Sequence, residues 1–240
     1  FISEIIIEGW EDHPEGRRLE LAAYDSMAIK PGSIVNNQII KKDLDSIYAS
    51  GWFSGVKIRA EDGPLGVKLV VSIVPNPILK KVEIITKNSK VPDTFVNKTF
   101  NALYGTTLNL NELQKKIRII KNWYEEKGYS LARINGPERI LENGEVQLNV
   151  DEGQVSKINI RFIGADEKVR KGKTKDWVIK RELKTKAGVV FNRKILESDI
   201  KRLYATSLFN DVKVSLSPDQ LNPEKVEITL EISEQRTGSL

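Results

Sequence analysis

The sequence predicts an α+β chain of three tandem β-α-α-β-β repeats, each a three-stranded mixed sheet covered by two helices, elongated as a whole. Two observations carry this. Residues 32–58 lie over residues 188–214 without a gap at a constant offset of 156, with Gly32/Gly188, Asn36/Asn192, Asp43/Asp199, Tyr48/Tyr204, Phe53/Phe209 and Lys57/Lys213 identical in register. The residue periods around each copy also change in the same order, from two, to helical, and back to two.

A third copy sits between the other two. Gly105, Leu108, Asn109, Leu113, Ile117 and Ile120 follow Gly32, Val35, Asn36, Ile40, Leu44 and Ile47 at an offset of 73. The register then slips by four residues, so that Gly128-Tyr129 answers Gly51-Trp52. Four residues is about one helical turn, so the middle copy is expected to carry a longer second helix with its buried face still inward.

Each repeat opens with an alternating run, Ile5 and Ile7, then Val82 and Ile84, then Ile158, Ile160 and Phe162, the signature of a strand with one buried face. A first helix is expected over residues 14–28, 93–104 and 176–186, with Leu19, Ala22, Ala23 and Met27 inward in the first copy. Gly32, Gly105 and Gly188 are expected to stop that helix. Asn36, Asn109 and Asn192 should cap the next one, Asn109 with Glu112 approximating a capping box. The second helix should bury Ile40, Leu44 and Ile47, or Leu113, Ile117, Ile120 and Tyr124, or Leu196, Ile200 and Leu203. Two closing strands follow in each copy, those of the middle one joined by a turn at Glu142-Asn143-Gly144.

The expected units are residues 1–76, 77–153 and 154–240, meeting at Pro75-Asn76-Pro77 and Glu152-Gly153-Gln154 without a long linker. Domains this small gain from contacts between neighbours. No apolar run approaches the roughly 18 residues of a membrane-spanning helix. The chain begins directly inside a strand, so a longer protein is expected around it. It has no cysteine, which excludes disulfide and thiol chemistry. The net charge of +5 is uneven, −3, +2 and +6 over the three units, a gradient that suits a last unit near an acidic surface such as lipid head groups.

The motifs that suggest catalysis or ligand binding are each incomplete. Lys171-Gly172-Lys173-Thr174 lacks the upstream glycine of a phosphate loop, with Glu167 in its place. His13, the single histidine, sits in a loop entering a helix with no triad partner. Asp151-Glu152 and Glu61-Asp62 are strand neighbours that point to opposite faces, and read as solvated turn residues. No spaced carboxylate loop suggests a metal, and the reading implies no cofactor and no enzyme activity. The densest basic run is Lys168, Arg170, Lys171, Lys173 and Lys175. A nucleic-acid-binding repeat is the rival, but no aromatic strand motif or GxxG loop accompanies the run, so no nucleic acid is expected. Trp52, Phe53, Tyr129 and Phe209 share one helix-to-strand turn, a position that argues for packing.

These recurring residues resemble a known family. Gly-x-x-hydrophobic-Asn, the helix end Tyr48-Ala49-Ser50-Gly51-Trp52-Phe53 followed by Val56-Lys57-Ile58, Lys127-Gly128-Tyr129, and Leu208-Phe209-Asn210-Asp211-Val212-Lys213-Val214 are similar to POTRA (polypeptide-transport-associated) domains of outer-membrane protein assembly factors. The resemblance covers nearly the whole chain. Arg181-Glu182-Leu183, Lys186-Ala187-Gly188 and the closing stretch from Arg236 to Leu240 resemble the cyanobacterial branch, related to the chloroplast outer-envelope import channel. Ser130-Leu131-Ala132 departs from the usual turn.

The resemblance implies a module on the periplasmic side of the outer membrane, tethered by a C-terminal membrane barrel outside this chain. It implies that the module holds unfolded barrel precursors and passes them on; a receptor of an import channel is the alternative. Accessory periplasmic proteins and lipid head groups are further implied partners. An open sheet keeps unpaired N–H and C=O groups at its edges, to which an extended client can add as a strand. By analogy with the family the strand after the second helix is the edge used, over residues 56–60, 131–135 and 212–216. The site residues are then Val56, Lys57, Ile58, Arg59, Val212, Lys213 and Val214. Lys57, Arg59, Arg133 and Lys213 point outward there and blunt self-association.

Overall fold

A computed structural model describes residues 1–137 and 140–236; residues 237–240 of the closing motif lie outside the described residues. The chain forms two compact units, one of residues 1–83, 93–119 and 136–147, the other of residues 84–92, 120–135 and 148–240. The elements of the middle repeat are divided between them.

The first repeat runs β1 (Ile2–Glu8), α1 (Gly16–Asp25), α2 (Asn37–Ala49), β2 (Phe53–Gly63) and β3 (Gly66–Pro75). Its sheet has the order β1-β3-β2, with β3 parallel to β1 and antiparallel to β2. The closing strand is therefore central, and the strand after the second helix is an edge. Leu19 and Ala23 of α1, Ile47 of α2, and Leu69, Val71 and Ile73 of β3 share one buried core, on which Ile40 and Leu44 pack.

The middle repeat comprises β4 (Lys81–Ile84), α3 (Asp93–Phe100), a 3-10 turn (Asn101–Leu103), α4 (Leu110–Glu126), β5 (Arg133–Asn135) and β6 (Glu145–Asp151), with the sheet order β4-β6-β5. At 17 residues α4 exceeds the 13 of α2, as the four-residue slip predicts. Leu113, Ile117, Ile120 and Tyr124 are all buried.

The third repeat runs β7 (Val155–Ile163), β8 (Val169–Arg170), α5 (Asp176–Lys180), α6 (Arg193–Ala205), β9 (Phe209–Pro218) and β10 (Val226–Glu234). Its sheet has four strands, β8-β7-β10-β9, where three were expected. The fourth arises because the chain reverses at Gly164 and Glu167, the latter at φ 61°, and lays β8 antiparallel on the outer edge of β7. Asp166 holds the reversal, accepting the Lys168 N–H and pairing with Arg170 at 3.0 Å.

Two expectations about helix ends are corrected. The first helices are shorter than their apolar pattern, ending at Asp25, Phe100 and Lys180. Gly32, Gly105 and Gly188 do not stop them. Each sits in a later turn at positive φ (94°, 82° and 87°), where its N–H donates to the start of the repeat, to Ile2, Leu79 and Val155 C=O respectively. The carbonyl of the following residue closes the turn from the other side, accepting from the same residue, as in Ile2 N–H to Ser33 C=O. Added Cβ atoms would meet nothing within 4 Å at these glycines, so the left-handed backbone alone selects glycine there. Asn109 caps α4 through the N–H groups of Asn111 and Glu112, but the Glu112 carboxylate pairs with Lys115 and leaves the capping box half made.

Candidate functional site

Strands β2, β5 and β9 are the edges that the family resemblance implies. Their outward side chains are as expected: Lys57, Arg59, Arg133 and Lys213 are exposed, while Val56 and Val212 are buried and Ile58 and Val214 half-buried. β5 is only three residues long, a much shorter template than residues 131–135. Arg59 crosses the sheet face to Glu8 at 2.9 Å and reaches Glu61 at 3.0 Å. Such exposed pairs hold a geometry more than they stabilise.

The edge is not uniformly open. Val56 N–H donates to the Tyr48 hydroxyl at 3.0 Å, and Val212 N–H to the Tyr204 hydroxyl at the same distance. Both tyrosines come from the end of the helix preceding the edge strand. Because Val56 and Val212 point these groups away from the central strand, alternation places the backbone groups of Ile58, Ala60, Val214 and Leu216 outward as well. Val56 and Val212 are thus partly satisfied, and the open template starts two residues on. Beside it in the first repeat, a groove of about 630 Å³ runs between α2 and β2, lined by Ile40, Leu44, Val56, Ile58, Lys41 and Arg59 among others. Its floor is apolar and its rim is cationic.

The basic run folds into the β8 hairpin and the segment after it, and all five side chains are exposed. Arg170, Lys171 and Lys173 line one cavity of about 720 Å³ together with Arg236; Lys168 and Lys175 are not among its lining residues. The phosphate-loop reading fails here on geometry too. The N–H groups of Lys173 and Thr174 donate to the Glu234 carboxylate at 2.8 and 2.9 Å, and the Thr174 hydroxyl does so at 2.8 Å. Gly172 lies flat on the Phe162 ring, where a Cβ would overlap it.

Burial pushes the Glu234 carboxyl up, but the Lys173 and Thr174 donors outweigh it and hold the group below its ordinary value. A folded-state value below the unfolded one contributes stability above the ordinary glutamate range and loses it as pH falls through the folded value. The Lys173 and Thr174 amide resonances are therefore expected to shift together on acidification below about pH 4.5. Titration of a Glu234→Gln chain should abolish that step.

The contacts between successive repeats follow one plan. Asn109 Nδ2 donates to Ser50 C=O at 2.9 Å, and Asn192 Nδ2 to Lys127 C=O at 3.0 Å. Leu110 N–H reaches Gly51 C=O and Arg193 N–H reaches Gly128 C=O, at 2.9 and 2.8 Å. Leu108 N–H and Phe191 N–H meet Pro77 and Gly153 C=O, again at 2.9 and 2.8 Å. The capping asparagines thus do two things, closing their own helix with Oδ1 and grasping the preceding helix with Nδ2. His13 adds to the first junction, with Nε2 2.9 Å from Asn76 C=O and Nδ1 accepting the Glu15 N–H. Glu15 then accepts the Thr107 hydroxyl at 2.6 Å.

Buried carboxylates hold the loops. Asp43 accepts the Ala28 and Ile29 N–H groups, and Asp199 accepts those of Lys184 and Thr185 plus the Thr185 hydroxyl. Glu152, expected as a solvated turn residue, is buried instead: it accepts the Lys90 N–H and the Tyr124 hydroxyl, both at 2.7 Å. Burial and then the Glu152 carboxylate raise the Tyr124 hydroxyl far above its usual range, so it remains a donor. The aromatics pack as expected, with Phe53 and Phe209 each 2% exposed and Tyr129 stacked on Trp123.

Sequence reasoning overlooked Asp43, Asp199, Tyr48 and Tyr204 as working parts. Their identity between the first and third copies was the available signal. In the middle copy the corresponding positions carry Lys116 and, at the helix end after the four-residue slip, Glu125, so a motif sought in all three copies misses them.

Two family models match the chain: "POTRA domain, ShlB-type" over residues 78–153, and a POTRA model described as "Surface antigen variable number repeat" over residues 158–235. A solved structure of POTRA1-3 of the periplasmic domain of Omp85 from Anabaena is 35% identical, with a TM-score of 0.87, covering 99% of this chain and 96% of that one. Outer envelope protein 80, chloroplastic, of Oryza sativa subsp. japonica is 28% identical over 242 residues, covering 99% of this chain and 36% of that protein. The outer membrane protein assembly factor BamA of Nitratidesulfovibrio vulgaris is 22% identical over 262 residues, covering 100% of this chain and 32% of that protein. The chain spans about a third of the length of these two relatives. Among the described residues no helix is long and apolar enough to cross a membrane.

Proposed function

The chain belongs to the POTRA domain family, and from that membership we propose that it is the client-handling module of an outer-membrane barrel assembly factor. In this reading residues 1–76, 77–153 and 154–240 are three POTRA repeats on the periplasmic side, tethered by a C-terminal barrel. They hold unfolded barrel precursors by strand addition on the edges that carry Val56, Lys57, Ile58 and Arg59 of β2 and Val212, Lys213 and Val214 of β9, with main-chain pairing from Ile58 and Val214 onward. The observation that carries the proposal is the apolar groove with its cationic rim beside the open β2 edge. Main-chain pairing accepts any sequence, and the alternating groove contacts suit an amphipathic strand. The basic run Lys168, Arg170, Lys171, Lys173 and Lys175 is assigned in the same reading to anionic lipid head groups near that barrel. An import receptor would use the same edges, and the assembly reading is preferred because the matched BamA is by name an assembly factor.

The test is a nitrogen-15-labelled chain titrated with a barrel-derived peptide of alternating apolar residues. Amide shifts are expected at Ile58 and Ala60, and at Val214 and Leu216, with Val56 and Val212 little moved. Tyr48→Phe should extend the shifts to Val56 by releasing its N–H. Shifts confined to α2 and α6, or RNA binding that displaces the peptide at moderate salt, would defeat the proposal.

A further inference from the structure

The first strand of each sheet has an outer edge of its own, on the side away from β2, β5 and β9. Gly32, Gly105 and Gly188 pair with Ile2, Leu79 and Val155 at the start of that edge, and three residues on stand Ile5, Val82 and Ile158. Two of the copies close the edge with an aromatic side chain of the same repeat. Trp10 Nε1 donates to Ile7 C=O at 2.7 Å, and Val82 N–H donates to the Tyr104 hydroxyl at 3.2 Å.

The third copy has no such closure. Its β7 edge is paired at one end through Val155 with Gly188 and Val189, and at the other through Phe162 and Ile163 with β8. The Gly164 N–H to Lys168 C=O bond sets the hairpin register, in which Phe162 turns its backbone groups outward to β8. Alternation turns those of Ile158 and Ile160 outward as well, and among the described residues they meet no partner. Two outward residues make a short template for a strand, but they leave a slot that a side chain can enter.

Ala187 stands where Tyr104 stands, each one residue before the turn glycine. Between Ala187 and Ile158 lies a cavity of about 650 Å³, walled by Trp177 and by Lys157, Lys180, Arg181 and Lys186, with Asp176 also on its lining. Lys157 pairs with Glu227 and Arg181 with Glu182, whereas Lys180 and Lys186 meet no carboxylate among the described residues. Trp177 is 62% exposed, with the Arg181 guanidinium 5.3 Å from its ring centre.

We propose that this cavity is a docking site for a tyrosine on an acidic segment of a partner protein. The tyrosine hydroxyl accepts the Ile158 N–H as Tyr104 accepts that of Val82, its ring lies beside Trp177, and flanking carboxylates meet Lys180 and Lys186. The filled site of the middle repeat fixes the ring and its hydroxyl. The cationic lining fixes the charge of what surrounds them. The site lies on the opposite edge of the sheet from β9 and does not depend on strand addition there.

The test is a titration of the nitrogen-15-labelled chain with the end-blocked peptide Asp-Glu-Tyr-Glu-Asp. The Ile158 amide and the Trp177 indole N–H are expected to shift saturably, with Val214 and Leu216 unmoved. Phenylalanine in place of the tyrosine should weaken binding about fivefold, the loss of one hydrogen bond. Asparagine and glutamine in place of the acids should weaken it about tenfold and remove most of its salt dependence. Ala187→Tyr should supply the ring from within, shift the Ile158 amide without peptide and abolish binding. Lys180→Glu with Lys186→Glu, both at exposed positions, should abolish it in a chain whose core is untouched. The inference fails if Ile158 and Trp177 do not move at millimolar peptide, if the phenylalanine peptide binds equally well, or if Ala187→Tyr binds undiminished. It fails equally if anionic phospholipid vesicles or RNA, and not the peptide, shift these two resonances.

Discussion

Asp199→Ala is expected to destabilise the third repeat by on the order of 3–5 kcal/mol, the cost of breaking a buried charged network. The Asp199 side chain is fully buried at the centre of α6 and accepts the Lys184 and Thr185 N–H groups at 2.9 Å, with the Thr185 hydroxyl at 2.6 Å. Arg202 pairs with the same carboxylate and also donates to Glu182 C=O. Alanine removes the acceptor from two backbone donors that water cannot reach easily and leaves the loop between α5 and α6 untied. Asp43→Ala should cost less, about 2–3 kcal/mol, because only the Ala28 and Ile29 N–H groups lose a partner. Urea unfolding followed by resonances assigned to each repeat checks both. A loss below about 1 kcal/mol for Asp199→Ala would show that the loop finds other acceptors.

Gly128→Ala is expected to cost about 2–4 kcal/mol and to disconnect the Asn192 cap from the helix before it. Two effects add. The residue sits at φ 96°, where an L side chain costs about 1–2 kcal/mol, and the new Cβ occupies the place of Asn192 Oδ1. Gly105→Ala is the control, for it shares the positive φ of 82° but its Cβ would meet nothing within 4 Å. The difference between the two variants isolates the close approach. Hydrogen exchange at the Arg193 amide, which donates to Gly128 C=O, should accelerate in Gly128→Ala and not in Gly105→Ala. Equal exchange in both would mean that the junction tolerates a displaced asparagine.

The comparison of Gly128 with Ser207 shows how the chain separates its two uses of one backbone shape. Both residues end a second helix in the left-handed region. At Gly128 the Asn192 amide approaches closely and the position is glycine, whereas at Ser207 the same left-handed backbone carries a side chain.

Much of the fold was legible because it rests on local rules repeated three times. Alternation marked the strands, and the 3.6-residue period marked α2, α4 and α6. The capping asparagines were visible because a cap acts within four residues of chain. The first helix was overextended because Met27 continues its apolar pattern, although Met27 is buried from a turn beyond α1. The fourth strand of the last sheet was missed because β8 is two residues long and rich in charge around it, and its partner β7 supplies the pairing. The edge strands were named correctly as a class, but the state of their donors was not readable, since Tyr48 reaches Val56 eight residues away through a folded turn.

The amino-acid order by itself determined the repeat, its element types, the caps, the left-handed glycines and the lack of any thiol chemistry, because each of these depends on neighbours within a turn or two of chain. Only the tertiary structure decided which strand of each sheet is central, which edge donors remain open, that Glu152, Asp43 and Asp199 hold loops from the interior, and that the asparagine caps also join successive repeats. Those outcomes depend on groups tens of residues apart reaching hydrogen-bond distance, and no local preference encodes which of many chemically equivalent partners the folded chain brings there.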